Sequence, residues 1–251
     1  MTGATMSGDR VTRMFDVLEL LVGPRQGRTV TEISKRLELP ISSTHNMLQR
    51  LVAADLVVMS DGPRYSIGGR LVRLGIKVVD GLEIRAVARR PLQELARTIE
   101  DDIYLAVRLG RRVVYVDRMQ GSKAISVSIH LGQDLYLHAT SVGKLYASYD
   151  PACWRRMLSS PLPKLTQYTL TTEEELEVAC REVVREGYAL SAEEAVLGIA
   201  GVAVPIFDSE HQLAAAIHVS SLAADLTPRR TQQIVEAARR TATVIEKALG
   251  R

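Results

Sequence analysis

Apolar and polar positions alternate along this chain with two clear periods. Val11, Met14, Phe15, Leu18 and Val22 recur at helical spacing, and Gly23-Pro24 closes that run. Val30, Ile33 and Leu37 form a second helical stripe, opened by Thr29 and Glu32 as a capping box. Pro40 stops it, because the ring removes a donor and disfavours helix at the residue before. The next helix is predicted to be capped by Ser42 or Ser43, with Thr44, Met47, Leu48, Leu51 and Ala54 on one face. Ser42, Ser43, His45, Asn46, Gln49 and Arg50 occupy the opposite face. Two short β-prone runs follow, Leu56 to Met59 and Tyr65 to Ile67, joined by the turn residues Asp61-Gly62-Pro63.

From residue 69 onward the pattern changes. Leu71, Leu74 and Val78 mark a linker helix over residues 69–79, with a boundary near Asp80-Gly81, and residues 1–6 read as a disordered tip. The predicted units are residues 7–68, a linker over 69–81, and residues 82–251. The last unit reads as α+β. A helix is predicted over 82–99, then strands over 103–108, 112–118 and 124–131, the first two joined at Leu109-Gly110-Arg111. Helices over 143–149, 152–158 and 172–186 precede strands over 200–207 and 213–220. A helix over 227–249, with Pro228 in its first turn, closes the chain. Helices on an antiparallel sheet make a cup suited to a small molecule.

Helix, turn, helix and hairpin in this order form a winged DNA-binding module. The polar face of the second helix has the amides and guanidinium that pair with base edges in a major groove. Asn46, Gln49 and Arg50 are the candidates for base contact. Ser42, Ser43 and His45, with Lys35 and Arg36 on the preceding helix, are candidates for phosphates. Arg64, just past the hairpin tip, is placed to reach the minor groove. The plainer alternative is a small helical domain with a solvated face.

Charge agrees with the module. Residues 1–80 hold eleven Lys/Arg against eight Asp/Glu, so the whole net charge of +3 lies there. Aromatics are 4% of the 251 residues, too few for a base-stacking platform on single strands. Cys153 and Cys180 suit neither a disulfide framework nor a Cys-based zinc site, and read as buried apolar residues. No apolar run is long enough to span a membrane and no signal-peptide pattern opens the chain, so a cytoplasmic protein is expected.

Four segments resemble the IclR family of bacterial transcription regulators over essentially the full length. They are LPISSTHNMLQRLVAADLV (39–57), YSIGGRLVRLG (65–75), LHATSVGKLYAS (137–148) and GYALSAEEAVLGIAGVAVPIFD (187–208). The chain departs from the family pattern at Thr44, at Asn46, where Arg is frequent, and at Asp55 and Ser141, where Gly is usual. It departs also at His218, where a small hydroxyl residue is common. The resemblance implies a winged helix-turn-helix, a linker helix and a GAF-like effector domain. It also implies a homodimer or tetramer on a palindromic double-stranded operator and a small-metabolite effector, often an organic or aromatic acid. By the same resemblance the effector residues are Ser141, Val142, Ser191, Ile199, Ala200, Gly201, His218 and Ser220. His218 and Ser220 lie two apart on a strand and so face one side, and a His beside hydroxyls and helix amides suits an anion.

Candidate chemistry beyond binding is sparse. No nucleophile–base pair or cofactor loop stands out, and Lys144 follows Gly143 without a P-loop before it. Glu193-Glu194 could be a catalytic acid pair, but acids at a helix start capped by Ser191 are the simpler account. His130, Asp134 and His138 are metal-binding types, yet their spacing across a strand-to-loop region does not enforce one face. No cofactor and no metal are expected. Two rivals to a ligand-responsive regulator stand: an enzyme with an accessory DNA-binding domain, and a DNA-binding protein that senses nothing.

Overall fold

The computed structural model describes residues 10–23, 26–60, 62–124 and 127–250. The expected tip over 1–6, the helix-closing Pro24 and the turn residue Asp61 lie outside the described residues. Contacts divide the chain after Gly81 into two compact units.

The first unit contains α1 (Arg10–Leu21), β1 (Arg28–Thr29), α2 (Val30–Arg36), α3 (Ile41–Ala53), β2 (Val57–Ser60), β3 (Arg64–Ile67) and α4 (Gly69–Asp80). Its strands form a small antiparallel sheet in the order β1-β3-β2. The core is Val17, Leu18, Leu21, Ile33, Leu48, Leu51, Val57 and Tyr65. The capping box closes at both bonds. Thr29 N–H donates to Glu32 Oε2 at 2.8 Å, and Glu32 N–H to Thr29 Oγ1 at 3.2 Å. Those bonds hold the Glu32 carboxyl below its usual value.

The structure departs from the sequence pattern at two places in this unit. Neither Ser42 nor Ser43 caps α3. Pro40 takes that position in an extended conformation (φ −58°, ψ 138°) with no side-chain cap, so the helix starts at Ile41. Thr44 Oγ1 donates back to Pro40 O at 3.0 Å. The hairpin also gains a third strand, because residues 28–29 pair with Arg64 and Tyr65.

The second unit contains α5 (Glu83–Ile99), β4 (Asp102–Leu109), β5 (Arg112–Met119), α6 (Ser141–Tyr149), α7 (Pro151–Ser159), α8 (Glu173–Glu186), β6 (Ala189–Ala192), β7 (Ile199–Phe207), β8 (Leu213–Leu222) and α9 (Pro228–Ala248). The five strands form one sheet in the order β5-β4-β8-β7-β6, antiparallel at every pairing. Ile103, Leu105 and Val107 share one core with Leu92, Leu95 and Ile99 of α5 and Ile234 and Ile245 of α9. Tyr104 and Ala106, on the alternate face, pack with Leu145 and Tyr146 of α6, Met157 of α7 and Leu176 of α8. Both sheet faces are therefore covered. That explains why β4 reads as a continuous apolar run rather than an alternating one.

The strand expected over 124–131 is absent at its described positions. Its backbone is claimed from the side: Tyr104 hydroxyl donates to Val127 O and accepts from Ile129 N–H, both at 2.9 Å. β6, not anticipated from its four residues, forms the opposite sheet edge beside β7.

Candidate functional site

On the first unit, α3 presents Ser42, Ser43, His45, Asn46, Gln49 and Arg50 as exposed residues, while Thr44, Met47, Leu48 and Leu51 are buried. Ser42 and Ser43 fall in the first turn, where unpaired backbone amides and the helix dipole favour an anion. Lys35 and Arg36 are exposed in the last turn of α2. Arg64 stands just past the tip, as the first residue of β3, opposite Ser60 and Thr29. Its Nη1 donates to Gly27 O at 3.2 Å and lies 3.7 Å from Glu32 Oε2, so the guanidinium is tied to the body of the unit.

On the second unit, a cavity of about 620 Å³ opens beside β7 and β8. Ser141, Ser191, Ile199, Ala200, Gly201, His218 and Ser220 all line it. Val142 does not: its side chain is fully buried in the core beneath α6. The helix geometry forces this, since Ser141 and Val142 are adjacent and point about a quarter turn apart.

The strand register assembles the inner wall. Ser220 stands opposite Gly201, and His218 opposite Ala203 on one side and Tyr104 on the other. His218 Nδ1 lies 3.1 Å from Ser141 Oγ, and its ring packs against Tyr104 and Tyr115 at centroid distances of 5.9 and 5.3 Å. Complete burial pushes the imidazole down to about 3. With the cavity empty it is therefore neutral at pH 7. Ser191 Oγ donates to Ala139 O at 3.0 Å. Ser220 Oγ is buried with no hydrogen-bond partner among the described residues.

Ser141 and His218 form the nucleophile–base contact that sequence inspection did not find, because 77 residues separate them. The pair is a poor catalyst on two counts. Burial leaves the imidazole a very weak base, and among the described residues no carboxylate bonds its other nitrogen.

Several wall residues escaped the sequence. Tyr115 packs from β5, Val127 to His130 cross as the strap held by Tyr104, and Ala195 and Val196 come from the loop after β6. Tyr104 and Tyr115, bulky polar-tipped residues in otherwise aliphatic strands, were the available signal. Glu193 and Glu194 do not start a helix; they open that loop, with Glu193 at φ +59°. Glu194 is buried against Lys144, with both carboxylate oxygens within 2.8 Å of the ammonium. His138 turns to Pro163 O at 3.1 Å and Asp134 pairs with Arg112 at 2.6 Å. Among the described residues no three His, Cys, Asp or Glu side chains are placed to hold a metal ion. Cys153 and Cys180 are buried, and burial raises both thiols, Cys153 to about 12.

A winged helix-turn-helix followed by a sheet domain with an internal cavity defines a class: DNA-binding regulators that respond to a ligand. A model of the IclR helix-turn-helix domain matches residues 10–60, and one of the bacterial transcriptional regulator IclR C-terminal domain matches residues 76–247. The chain belongs to the IclR family of bacterial transcription regulators. It is 29% identical over 243 residues to the HTH-type transcriptional regulator XynR of Escherichia coli K12, covering 96% of each chain. It is 28% identical over 250 residues to the HTH-type transcriptional repressor AllR of the same strain, covering 98% of this chain and 92% of that one. An IclR homolog from Microbacterium hydrocarbonoxydans, solved in complex with 4-hydroxybenzoate, superposes with a TM-score of 0.83 at 26% identity, covering 95% and 98% of the two chains.

Proposed function

We propose that this regulator binds a palindromic operator as a homodimer or tetramer in the cytoplasm, and that a small organic or aromatic acid in the central cavity changes its operator affinity. The cavity itself carries the ligand half of this reading: about 620 Å³ of space walled by apolar side chains, into which Ser141, Ser191 and His218 bring a few polar groups. The first turn of α6 and His218 supply hydrogen bonds for a carboxylate, and Tyr115 an aromatic wall. The homolog solved with 4-hydroxybenzoate supports the same chemistry.

Asn46, Gln49 and Arg50 read base edges, while Ser42, Ser43, His45, Lys35 and Arg36 hold phosphates. Oligomerisation through the first unit is supported by its uncovered apolar residues. Val11 and Phe15 of α1 are exposed, as are Val72, Leu74, Ile76 and Val78 of α4. The cavity binds without turnover on this reading, in keeping with relatives that are named transcriptional regulators or repressors. No helix among the described residues is long and apolar enough to cross a membrane.

The experiment is titration of the full chain on its own upstream DNA with a panel of organic and aromatic acids. Salt-sensitive, sequence-specific binding shifted by one compound is the expected result. Specific binding that no acid shifts removes the effector class, and consumption of a compound instead would make the protein an enzyme.

A further inference from the structure

Away from both sites, the turn of the β4–β5 hairpin and the start of α7 enclose a second cavity of about 340 Å³. Arg108, Arg111, Arg155 and Arg156 line it, and it shares no residue with the central cavity. Like charges gathered in one cleft repel one another unless an anion sits among them. Asp150 is the carboxylate paired into this cluster, with Oδ2 3.0 Å from Arg108 Nε and Oδ1 taken by Ala152 N–H at 2.8 Å. One carboxylate against four guanidiniums leaves most of the charge uncompensated.

Two of the four arginines are held in place by the fold. Arg108 Nη1 donates to Gly110 O at 2.9 Å, and Arg156 Nη1 donates to Arg111 O. Arg111 and Arg155 are exposed and form no ion pair among the described residues. Anchored guanidiniums flanked by free ones fit an acceptor with several oxygens and more than one charge. A monocarboxylate offers two oxygens and a single charge, enough for one fork. A phosphoryl group offers three oxygens and about −1.5 to −2 charges. The high pKa of the Cys153 thiol at the cleft wall disfavours covalent chemistry there.

We propose that this arginine cleft is a second ligand site, which binds the phosphoryl group of a small phosphate ester. The test is calorimetric titration of the full chain, at fixed ionic strength, with ribose 5-phosphate, inorganic phosphate and ribose. Saturable binding of ribose 5-phosphate is expected, weakened about tenfold or more in Arg111→Gln/Arg155→Gln. Arg97→Gln/Arg181→Gln removes the same charge elsewhere and is expected to keep full affinity. Binding of inorganic phosphate as tight as the ester identifies the free ion as the source of the same chemistry. Ribose binding as well as its phosphate, no saturable binding of either phosphate, or equal loss in both double variants overturns the proposal.

Discussion

Lys144 of α6 and Glu194 of the loop after β6 form a buried ion pair, with ammonium–carboxylate distances of 2.6 and 2.8 Å and side chains only 5% and 11% exposed. The pair fastens the start of that loop, whose Ala195 and Val196 form part of the cavity wall. Thr166 and Thr169 hold the same loop by donating to the carbonyls of Glu193 and Glu194, each at 2.7 Å. Removing one partner strands the other charge in a dry site. Lys144→Met is expected to cost about 3–5 kcal/mol, while Lys144→Met/Glu194→Leu recovers much of it. Urea denaturation of both variants checks this; a single variant as stable as the double would show that the stranded charge reaches water.

Gly201 is required by its neighbours. A Cβ there would lie 2.4 Å from His218 Cε1 and 3.2 Å from Ser141 Oγ. The imidazole packs against Tyr104 and Tyr115, so yielding to the new methyl means giving up those ring contacts and turning toward the cavity. Gly201→Ala is expected to destabilise by about 1–3 kcal/mol and to break the Ser141–His218 contact. His218→Ala in the same background supplies the missing space, so thermal unfolding of the four-member cycle should show strong coupling. Additive losses would mean the two residues do not meet.

His218 also makes stability depend on pH. Its folded value, about 3, lies below the ordinary 6.5, so between these values the unfolded chain binds the extra proton. Stability from this group is therefore complete above pH 6.5 and falls as pH drops through the window, by up to about 1.4 kcal/mol per unit. Denaturation midpoints between pH 7 and 5, before most carboxylates titrate, are the measurement. His218→Gln should flatten that slope. An unchanged slope would mean that another group carries it.

Asp55 follows α3 at φ +57°, the left-handed conformation that glycine adopts at least cost. Its partner Arg73, 3.5 Å away, is 68% exposed, so little is lost with the carboxylate. Asp55→Gly is expected to raise stability by about 0.5 kcal/mol, seen as a small rise in Tm. A fall would show that the Arg73 contact outweighs the backbone strain.

Local patterns carried most of the architecture. The capping residue Thr29, the turn at Gly110 and the stripe of α3 are set by neighbours within a turn or two, so local spacing exposes them. The cavity residues from Ser141 to Ser220 came from family likeness rather than from spacing, and Val142 shows its limit: a matched position does not say which way a side chain turns. What stayed hidden depends on long-range register. Lys144 meets Glu194 across 50 residues, and the strap over 127–131 is held by the Tyr104 hydroxyl of β4 and the Arg118 guanidinium of β5. The bond from Arg64 to Gly27 O likewise depends on β1 pairing beside β3, 37 residues away in the chain.

The polar face of α3 makes the last prediction. Gln49 and Arg50 are exposed, and the helix is braced from behind by Met47, Leu48 and Leu51. If they read base edges, Gln49→Ala or Arg50→Ala costs about 1–3 kcal/mol per half-site on the operator and relaxes base preference there. Lys35, exposed in the last turn of α2, is the proposed contact to the DNA backbone. Lys35→Ala should weaken operator and random DNA alike and reduce the salt slope by about one. Fluorescence anisotropy on both DNAs over a salt series separates the two kinds of contact. Equal losses on operator and random DNA for Gln49→Ala and Arg50→Ala would remove them from base reading and leave α3 as a phosphate clamp.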